Sequence, residues 1–168
     1  MMDSAISIRR IADDDWDSIV TLEASAYESS GLSEEPVVLK SRASASPATC
    51  FALEVNQRIA GYVLSLPYPE FQCPDLSQAE ERAARSCPPG NLHLHDLVIA
   101  DGFRRCGLGK QLLQHLTATA ASIRYTRISL VAVGGSDTFW SGNGYRAHRE
   151  LALPQSYGAN AVYMSKQI

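Results

Sequence analysis

The chain has 168 residues, of which 45% are hydrophobic and 20% charged, and its formal net charge is −3. This length and composition are ordinary for a globular protein with a sizeable core, so we expect one domain spanning residues 1–168. The acidic balance argues against a nucleic-acid partner, and the absence of a long apolar run or signal-like N-terminus predicts a cytoplasmic protein without a membrane interaction.

The first part of the sequence predicts two helices, a strand and a β-hairpin. In chain order these are a strand from Ile6 to Arg9, a helix from Asp13–Asp15 to about Tyr27, a short helix from Pro36 to about Ala43, and strands at Cys50–Val55 and Arg58–Leu66. Acidic residues in the first turn, and proline at the first helical position, favour the two helix starts. Asn56-Gln57 separates two apolar runs and therefore indicates a hairpin turn.

A long connection follows the hairpin. Pro67-Tyr68-Pro69 ends the strand, and the segment up to Gly90 contains further prolines and a helix-like run, QAEERAARS. A connection of this length is either a functional loop or a solvated excursion.

The middle of the chain, Asn91 to Ile123, predicts a strand, a tight turn and a helix. The strand NLHLHDLVI is followed by ADGFRRCGLG and then by KQLLQHLTATAASI, in which leucines recur at helical spacing. At the start of the helix lie three cations, Arg104, Arg105 and Lys110, and two glycines, Gly107 and Gly109. Because free N–H groups and the helix dipole favour anions there, the turn is either a phosphate-binding site or a strand-to-helix corner with basic residues for solubility. Its spacing fits neither the P-loop nor the dinucleotide-binding pattern.

The last part predicts three more strands and a short helix. The strands are Arg127–Val133, Tyr145–Leu153 and Ala159–Lys166, and the helix opens at Gly134-Gly135-Ser136, carries Phe139 and Trp140, and ends at Gly142–Gly144.

His93 and His95 are two residues apart on a predicted strand. They should therefore project to one face, about 7 Å apart, with Leu92, Leu94 and Val98 on the other. A strand histidine is more often structural than catalytic, so its setting decides between the two roles.

The four cysteines, at positions 50, 73, 87 and 106, form no C-x-x-C pair and no metal-like cluster with histidine. We therefore expect reduced thiols and no metal. Cys106 lies in the basic turn, where we interpret it as a spacer rather than a nucleophile.

The turn Arg104 to Gly109 matches the pattern R/Q-x-x-G-x-G/A and follows an L-x-V-like strand, Leu97-Val98-Ile99. In these features, and in FWSGNGYR near the end, the sequence resembles the GNAT N-acetyltransferases. The resemblance implies an α/β fold of three layers: a mixed, mostly antiparallel twisted sheet of six to seven strands with helices on both faces, opened between the fourth and fifth strands. It also implies acetyl-CoA as cosubstrate, held by Leu97, Val98, Ile99, Arg104, Arg105, Cys106, Gly107, Leu108, Gly109 and Lys110.

The run HLHDLVIADGFRRCGLG is similar to the corresponding run of arylalkylamine (serotonin) N-acetyltransferases. That similarity implies that His93 and His95 are general bases. An alkylammonium titrates at about 10 and must lose a proton before it attacks, whereas histidine, at about 6.5, can accept that proton. Asp96 either orients a histidine or marks a strand bulge, which would free a backbone N–H for the thioester oxygen.

The reaction implied is direct transfer, within a ternary complex, to the primary amine of a small molecule such as an arylalkylamine or polyamine. Tyr27, Pro67 and Tyr68, with Phe71, are candidates to line the acceptor pocket, and Glu70 or Glu80 to attract the ammonium. The alternatives are acetylation of a protein N-terminus or lysine, and a CoA-binding module without turnover. If the chain self-associates, we expect a homodimer.

Trp140 departs from the resemblance. The family often has tyrosine at this position to protonate the CoA thiolate, whereas an indole N–H is not an ordinary proton source. Tyr145, Tyr157 and Ser136 are the candidate substitutes, each more often structural. A thiolate with a pKa of about 8.5 is, however, a tolerable leaving group without an acid.

Overall fold

The computed structural model describes residues 5–80 and 90–168. Within these residues the chain forms seven strands and four α-helices. The strands are β1 (Ile6–Arg10), β2 (Phe51–Val55), β3 (Arg58–Pro67), β4 (Asn91–Ile99), β5 (Arg127–Ala132), β6 (Arg146–His148) and β7 (Val162–Gln167). The helices are α1 (Trp16–Tyr27), α2 (Pro36–Ala45), α3 (Leu108–Ser122) and α4 (Asp137–Gly142).

The strands form one open sheet in the order β1-β2-β3-β4-β5-β7-β6. All neighbours are antiparallel except β4 and β5, which are parallel and are joined across the sheet by α3. This confirms the predicted fold class, a mixed and mostly antiparallel sheet.

Helices cover both faces of the sheet. On one face, α3 buries Leu108, Leu112, Leu116 and Ala120, which recur every four residues and form a continuous apolar stripe against the strands. Burial of each leucine stabilises the fold by about 1.5–3 kcal/mol relative to an exposed leucine. The stripe therefore fixes the position of α3 and of the turn that precedes it. On the other face, Ile19 of α1 and Leu39 of α2 pack against β3 and β4 in a second, smaller cluster.

The sheet opens between β4 and β5. These strands pair only from Asn91 to His93, opposite Arg127 to Ser129, although β4 continues to Ile99. Beyond His93 the two strands therefore diverge, which confirms the predicted opening between the fourth and fifth strands.

A bulge in β4 lies just beyond this point. Leu64 of β3 is opposite Asp96, whereas Ser65 is opposite Leu94, so His95 is the extra residue. An extra residue reverses the alternation of side chains for the rest of the strand. The prediction that Val98 shares a face with Leu92 and Leu94 is therefore wrong, because Val98 packs in the α1/α2 cluster.

Two predicted strands differ in length from those observed. The strand expected at Tyr145–Leu153 is only Arg146–His148, because the chain turns at Arg149, with the N–H of Leu151 donating to the carbonyl of His148. The last strand begins at Val162 rather than Ala159. Most of QAEERAARS, and Cys87, lie outside the described residues.

The three described cysteines, Cys50, Cys73 and Cys106, are free thiols. No helix within residues 5–80 and 90–168 is both long and apolar enough to cross a membrane.

Candidate active site

A cleft of about 1000 Å³ occupies the opening between β4 and β5. The two diverging strands form its walls, the turn before α3 closes one side, and Tyr27, Trp140 and Tyr157 lie around the rest. The unpaired half of β4 is thus exposed to a space large enough for an extended ligand.

The turn before α3 has the backbone shape that the glycine pattern predicted. Gly107 is the N-cap of α3 with φ +74°, and Arg105 also has a positive φ of 65°. A Cβ on Gly107 would have no heavy atom within 4 Å, so this backbone faces open space. The first N–H groups of a helix have no intrahelical partner, and here they begin beside the cleft. Such a turn suits the phosphate groups of CoA.

Nine of the ten predicted cofactor-binding residues line the cleft. They are Leu97, Val98, Ile99, Arg104, Arg105, Gly107, Leu108, Gly109 and Lys110. Cys106 is exposed on the same turn, with its Sγ 3.6 Å from the carbonyl oxygen of Arg104, and is not part of this lining.

The cleft edge of β4 offers main-chain donors. The N–H of Ala100 donates to Ala60 of β3 at 2.8 Å, and main-chain groups alternate between the two sides of a strand. Leu97 and Ile99 therefore direct their N–H groups toward the gap. The side chain of Arg104 donates to the carbonyl of Ile99 on that side, at 3.3 Å. These N–H groups are suited to bind a thioester oxygen and the charge that develops on it.

His95 lies at the bulge and lines the cleft. Its Nε2 lies 2.9 Å from Oε2 and 3.1 Å from Oε1 of Glu34. Burial opposes ionisation of Glu34, but the contacts with His95 and Arg42 outweigh it and lower the pKa of this carboxyl. Because a carboxylate only accepts hydrogen bonds, Nε2 of His95 carries a proton, and in a neutral imidazole the lone pair is then on Nδ1. Nδ1 is buried and has no hydrogen-bond partner among the described residues.

His93 occupies a different setting from His95. The two rings lie on the same side of the sheet, with centroids 6.5 Å apart, as predicted. However, His93 is completely enclosed, its Nδ1 is 2.9 Å from Oγ of Ser129, and its ring stacks on Tyr163. Burial lowers the pKa of His93 well below its usual value, and a proton on His95 would lower it further, so the imidazole of His93 is neutral. Of the two histidines, the structure brings only His95 to the cleft wall.

A small cavity of about 50 Å³ adjoins the cleft beside His95. Three buried carboxyl groups line it, those of Glu23, Glu34 and Asp96. The hydroxyl groups of Tyr27 and Tyr62 donate to Asp96 at 2.7 and 2.5 Å. Burial raises the pKa of Asp96 to about 6, partly offset by the hydrogen bond from Tyr62, and burial also raises the pKa of Glu23. This concentration of acidic groups favours a cation beside the unpaired nitrogen of His95.

Of the residues predicted to line the acceptor pocket, only some lie at the cleft and the small cavity beside His95. Tyr27 lines both the cleft and the small cavity. Pro67 and Tyr68 line a separate cavity of about 250 Å³ at the opposite end of β4, together with Glu70, which pairs with Arg127 at 2.5 Å. Phe71 is half-exposed and its N–H donates to the hydroxyl of Tyr163, while Glu80 pairs with Arg42 at 2.8 Å.

Sequence reasoning missed Glu23, Glu34 and Arg42. Glu34 precedes α2 in a loop, and no local pattern distinguishes it. Arg42 and Glu23 did carry a signal, because each lies at helical spacing from buried apolar residues, Arg42 beside Leu39 and Ala43, and Glu23 four residues after Ile19. A charged residue on the buried side of a helix needs a partner and is therefore a candidate for a role at a site.

Three hydroxyl groups are candidates to replace a tyrosine at position 140 as proton donor, those of Tyr145, Tyr157 and Ser136. Trp140 is buried, with its ring edge on Tyr145, whose hydroxyl has no partner among the described residues. The hydroxyl of Tyr157 donates to the carbonyl of Pro74 at 2.6 Å, and that of Ser136 to Val133 at 2.7 Å. Burial raises the pKa of both tyrosines. Tyr157 and Ser136 line the cleft.

Among residues 5–80 and 90–168 there is no group of three or more metal-ligating side chains. The acidic groups described above are held by tyrosine, serine, arginine and histidine donors instead.

Comparison with solved structures gives the same fold at low sequence identity. Ard1 from Thermoplasma volcanium superposes with a TM-score of 0.75 and 14% identity, covering 98% of both chains. Arabidopsis thaliana Naa50, in complex with the bisubstrate analogue CoA-Ac-MVNAL, gives a TM-score of 0.70 at 13% identity, over 97% of this chain and 99% of that one. N-acetylglutamate synthase from Neisseria gonorrhoeae, complexed with coenzyme A and N-acetyl-glutamate, gives 0.70 at 16% identity, over 99% of this chain and 36% of that one. At these identities the similarity shows the fold alone.

No curated protein matches the chain significantly by sequence. The model of the acetyltransferase (GNAT) family matches residues 16–139, which include β4, the basic turn, α3 and part of α4. The chain therefore belongs to the GNAT family of acetyltransferases and is an enzyme that uses acetyl-CoA.

Proposed function

We propose that this enzyme transfers the acetyl group of acetyl-CoA to a primary amine of a small molecule, by direct attack within a ternary complex. One observation carries the proposal. His95 lines both the cleft and a small cavity lined by three carboxyl groups, and its buried Nδ1 has no hydrogen-bond partner among the described residues. This arrangement supports His95 as a base that acts between a site suited to a thioester and a site suited to an ammonium ion.

On the cofactor side, the turn from Arg104 to Lys110 binds the pyrophosphate through the first main-chain N–H groups of α3 and the basic side chains. The pantetheine follows the unpaired edge of β4, and the thioester oxygen accepts from the N–H of Leu97 or Ile99. The cleft volume, the positive φ at Gly107 and the direction of these N–H groups support this assignment.

On the acceptor side, the amine arrives as an ammonium ion and enters the cavity beside Glu23, Glu34 and Asp96. A water molecule needs about 10–15 Å³ of this kind of space, so 50 Å³ holds an aminomethyl or aminoethyl group, with the rest of the molecule in the cleft mouth. Tyr27, Leu32 and Tyr157 supply its less polar wall. We assign the acceptor pocket to Tyr27 and not to Pro67 or Tyr68, which line the separate cavity.

The chemical step then balances as follows. Nδ1 of His95 takes a proton from the ammonium ion. The resulting neutral amine then attacks the thioester carbonyl carbon through its nitrogen. The C–N bond forms, the negative charge that develops on oxygen is held by the β4 main chain, and the C–S bond breaks. The CoA thiolate leaves without an obligatory acid, since its pKa is about 8.5. The nitrogen then gives up its second proton to the departing thiolate or to water, and His95 returns its proton to solvent, so the products are an N-substituted acetamide and CoA.

The proposal is tested with the purified protein in two steps. Isothermal titration with acetyl-CoA should show saturable binding, and its absence would remove the cofactor assignment. Thiol release should then be measured with a panel of arylalkylamines, polyamines, amino acids and peptides. We expect release with short, unbranched primary amines, whether arylalkyl or polyamine, and little with amino acids, because their carboxylate would face the buried acidic groups.

Two other outcomes would replace the proposal. Efficient turnover of peptides, without turnover of small amines, would identify a protein N-terminal or lysine acetyltransferase, the activity class to which the Naa50 complex points. Binding of acetyl-CoA without thiol release for any member of the panel would identify a non-catalytic CoA-binding module.

A further inference from the structure

We propose that Arg42 is a positioning residue that holds Glu34 against His95 and sets the pH range in which His95 acts as a base. Arg42 lies on α2 and is not part of the cleft lining. The inference rests on the proposed role of His95 as the base.

Arg42 is enclosed and held on three sides. Its side chain is 1% exposed. Nη1 donates to Glu80 at 2.8 Å, and Nη2 donates to Glu34 at 2.9 Å and to the carbonyl of Asp75 at 2.7 Å. A guanidinium at this degree of burial is costly unless it is paired, so its position is closely defined by these partners.

Arg42 and His95 share one carboxylate. Oε1 of Glu34 accepts from Nη2 of Arg42 and also lies 3.1 Å from Nε2 of His95, while Oε2 is 2.9 Å from the same Nε2. The loop that carries Glu34 is also held through its main chain, because the N–H of Glu34 donates to Glu23 at 2.8 Å. The carboxylate is therefore fixed from both sides, and it fixes which nitrogen of His95 is free.

The shared carboxylate also links the two positive charges. When His95 takes a proton, the Glu34 carboxylate, which already pairs with Arg42, has a second positive charge beside it. Glu34 favours the imidazolium, whereas Arg42 opposes it, so the two residues act in opposite directions on the basicity of Nδ1. Other titratable or charged groups facing His95 are Glu23 and Tyr27 from α1, Tyr62 from β3, His93 and Asp96 from β4, and Tyr157.

The test is the pH dependence of kcat/KM for a primary amine that the enzyme accepts. Activity rises with pH as the base loses its proton, which gives an acid limb. Arg42→Gln should move this limb to higher pH by about one unit, and Glu34→Gln should move it to lower pH by a similar amount. Opposite shifts are not expected of two residues that only stabilise the fold.

Arg9 provides a matched control. It too is an arginine between two carboxylates, Asp15 at 2.7 Å and Glu54, but it lies on β1 at the far edge of the sheet. Arg9→Gln should leave the acid limb in place, whatever it does to stability. An unmoved limb in Arg42→Gln, or a shift in the same direction as in Glu34→Gln, would overturn the proposal.

If Arg42→Gln does not fold, Arg42→Lys decides the question. Lysine keeps the charge but lacks the fork that reaches both carboxylates. The proposal requires an acid limb near that of the wild type, with kcat lowered about tenfold through misplacement of Glu34 and His95. A wild-type kcat, or a limb that coincides with that of Glu34→Gln, would contradict it.

The failure of this inference is distinguishable from that of the proposed function. If His95→Gln keeps both the rate and the acid limb, then His95 is not the base and the proposed mechanism fails. If His95→Gln loses the rate while Arg42→Gln and Arg42→Lys behave as the wild type, then only the role of Arg42 is rejected.

Discussion

The two sides of the cleft are built in different ways. The cofactor side comes from one continuous stretch, in which the end of β4, the basic turn and the first residues of α3 follow each other along the chain. The acceptor side joins residues far apart in sequence. Tyr27 reaches Asp96 across 69 positions, and Glu34 reaches His95 across 61.

Their chemistry differs as much as their construction. The cofactor side presents main-chain N–H groups and exposed cations, whose positions depend on backbone shape. The acceptor side presents buried carboxyl groups and a histidine, whose properties depend on the charges around them. We therefore expect changes on the cofactor side to alter acetyl-CoA binding, and changes on the acceptor side to alter the rate and its pH dependence.

The largest expected effect comes from His95→Gln. Removing a general base costs about 10²–10⁴-fold, so kcat/KM should fall by that factor, while the Kd for acetyl-CoA stays within about twofold of the wild type. Thiol release and isothermal titration measure the two quantities. His115→Gln is the control and should retain activity, because His115 lies on α3 with its ring against Phe51 and is not part of the cleft lining. If His93→Gln lost as much activity as expected here while His95→Gln retained it, the base would have to be reassigned to His93.

A second effect of the acceptor side should appear in stability. Burial raises the pKa of Asp96 to about 6, whereas an unfolded aspartate titrates at about 3.9. The folded state thus binds the proton more tightly, and this contribution, present in full below about pH 4, is lost as the pH rises through about 6. Two pH units correspond to about 3 kcal/mol.

Asp96→Asn removes this titration. Between about pH 4 and pH 7, the free energy of unfolding of the wild type should therefore fall by about 3 kcal/mol more than that of Asp96→Asn, as measured by urea denaturation. Asp101→Asn, which changes a carboxylate that is 82% exposed, should follow the wild type. Parallel pH profiles for Asp96→Asn and the wild type would show that Asp96 is ionised as readily in the folded as in the unfolded chain.

The cofactor side is tested through Gly107. Gly107 has a positive φ, and a residue with a side chain costs about 1–2 kcal/mol in this left-handed region. Gly107→Ala should therefore either strain the turn or shift its backbone to another conformation. In both cases acetyl-CoA should bind about tenfold more weakly. Gly102→Ala, nearby and with free space around the added methyl group, is the matched control and should bind normally. If Gly107→Ala bound acetyl-CoA like the wild type, the turn would not be the pyrophosphate site.

The difference in construction explains how much could be predicted from sequence. The spacing of glycines and cations between a strand and a helix is a local property, and nine of the ten residues predicted from it line the cleft. The mixed, mostly antiparallel sheet and its opening between the fourth and fifth strands followed from resemblance to the family. The acceptor side could not be predicted in this way, because the position of Glu34 depends on how α1 and α2 pack against β4.

The bulge at His95 shows the same limit on a smaller scale. A bulge at Asp96 was one of the two interpretations of that residue, but Leu92, Leu94 and Val98 were still predicted on one face. The extra residue is His95, and it moves Asp96 and Val98 to the α1/α2 side. The bulge depends on the partner strand, since it is the register of β3 that leaves one residue of β4 unpaired. Pro67 and Tyr68 were predicted as candidates for the acceptor pocket, but they lie at the end of β3 that is remote from the cleft and line the separate cavity.

The smallest expected effect is at Trp140, between the two sides. Its indole cannot supply a proton to the thiolate, so a rate limited by leaving-group protonation should increase by tenfold or more in Trp140→Tyr. Because the CoA thiolate leaves readily at neutral pH, we expect instead that kcat changes by no more than about twofold. Trp140→Phe removes a similar volume without adding a hydroxyl group, so the ratio of the two kcat values isolates the hydroxyl from the repacking against Tyr145. A ratio near one would indicate that deprotonation of the amine by His95 limits the rate. A large ratio would indicate instead that protonation of the thiolate, at the wall formed by α4, limits it.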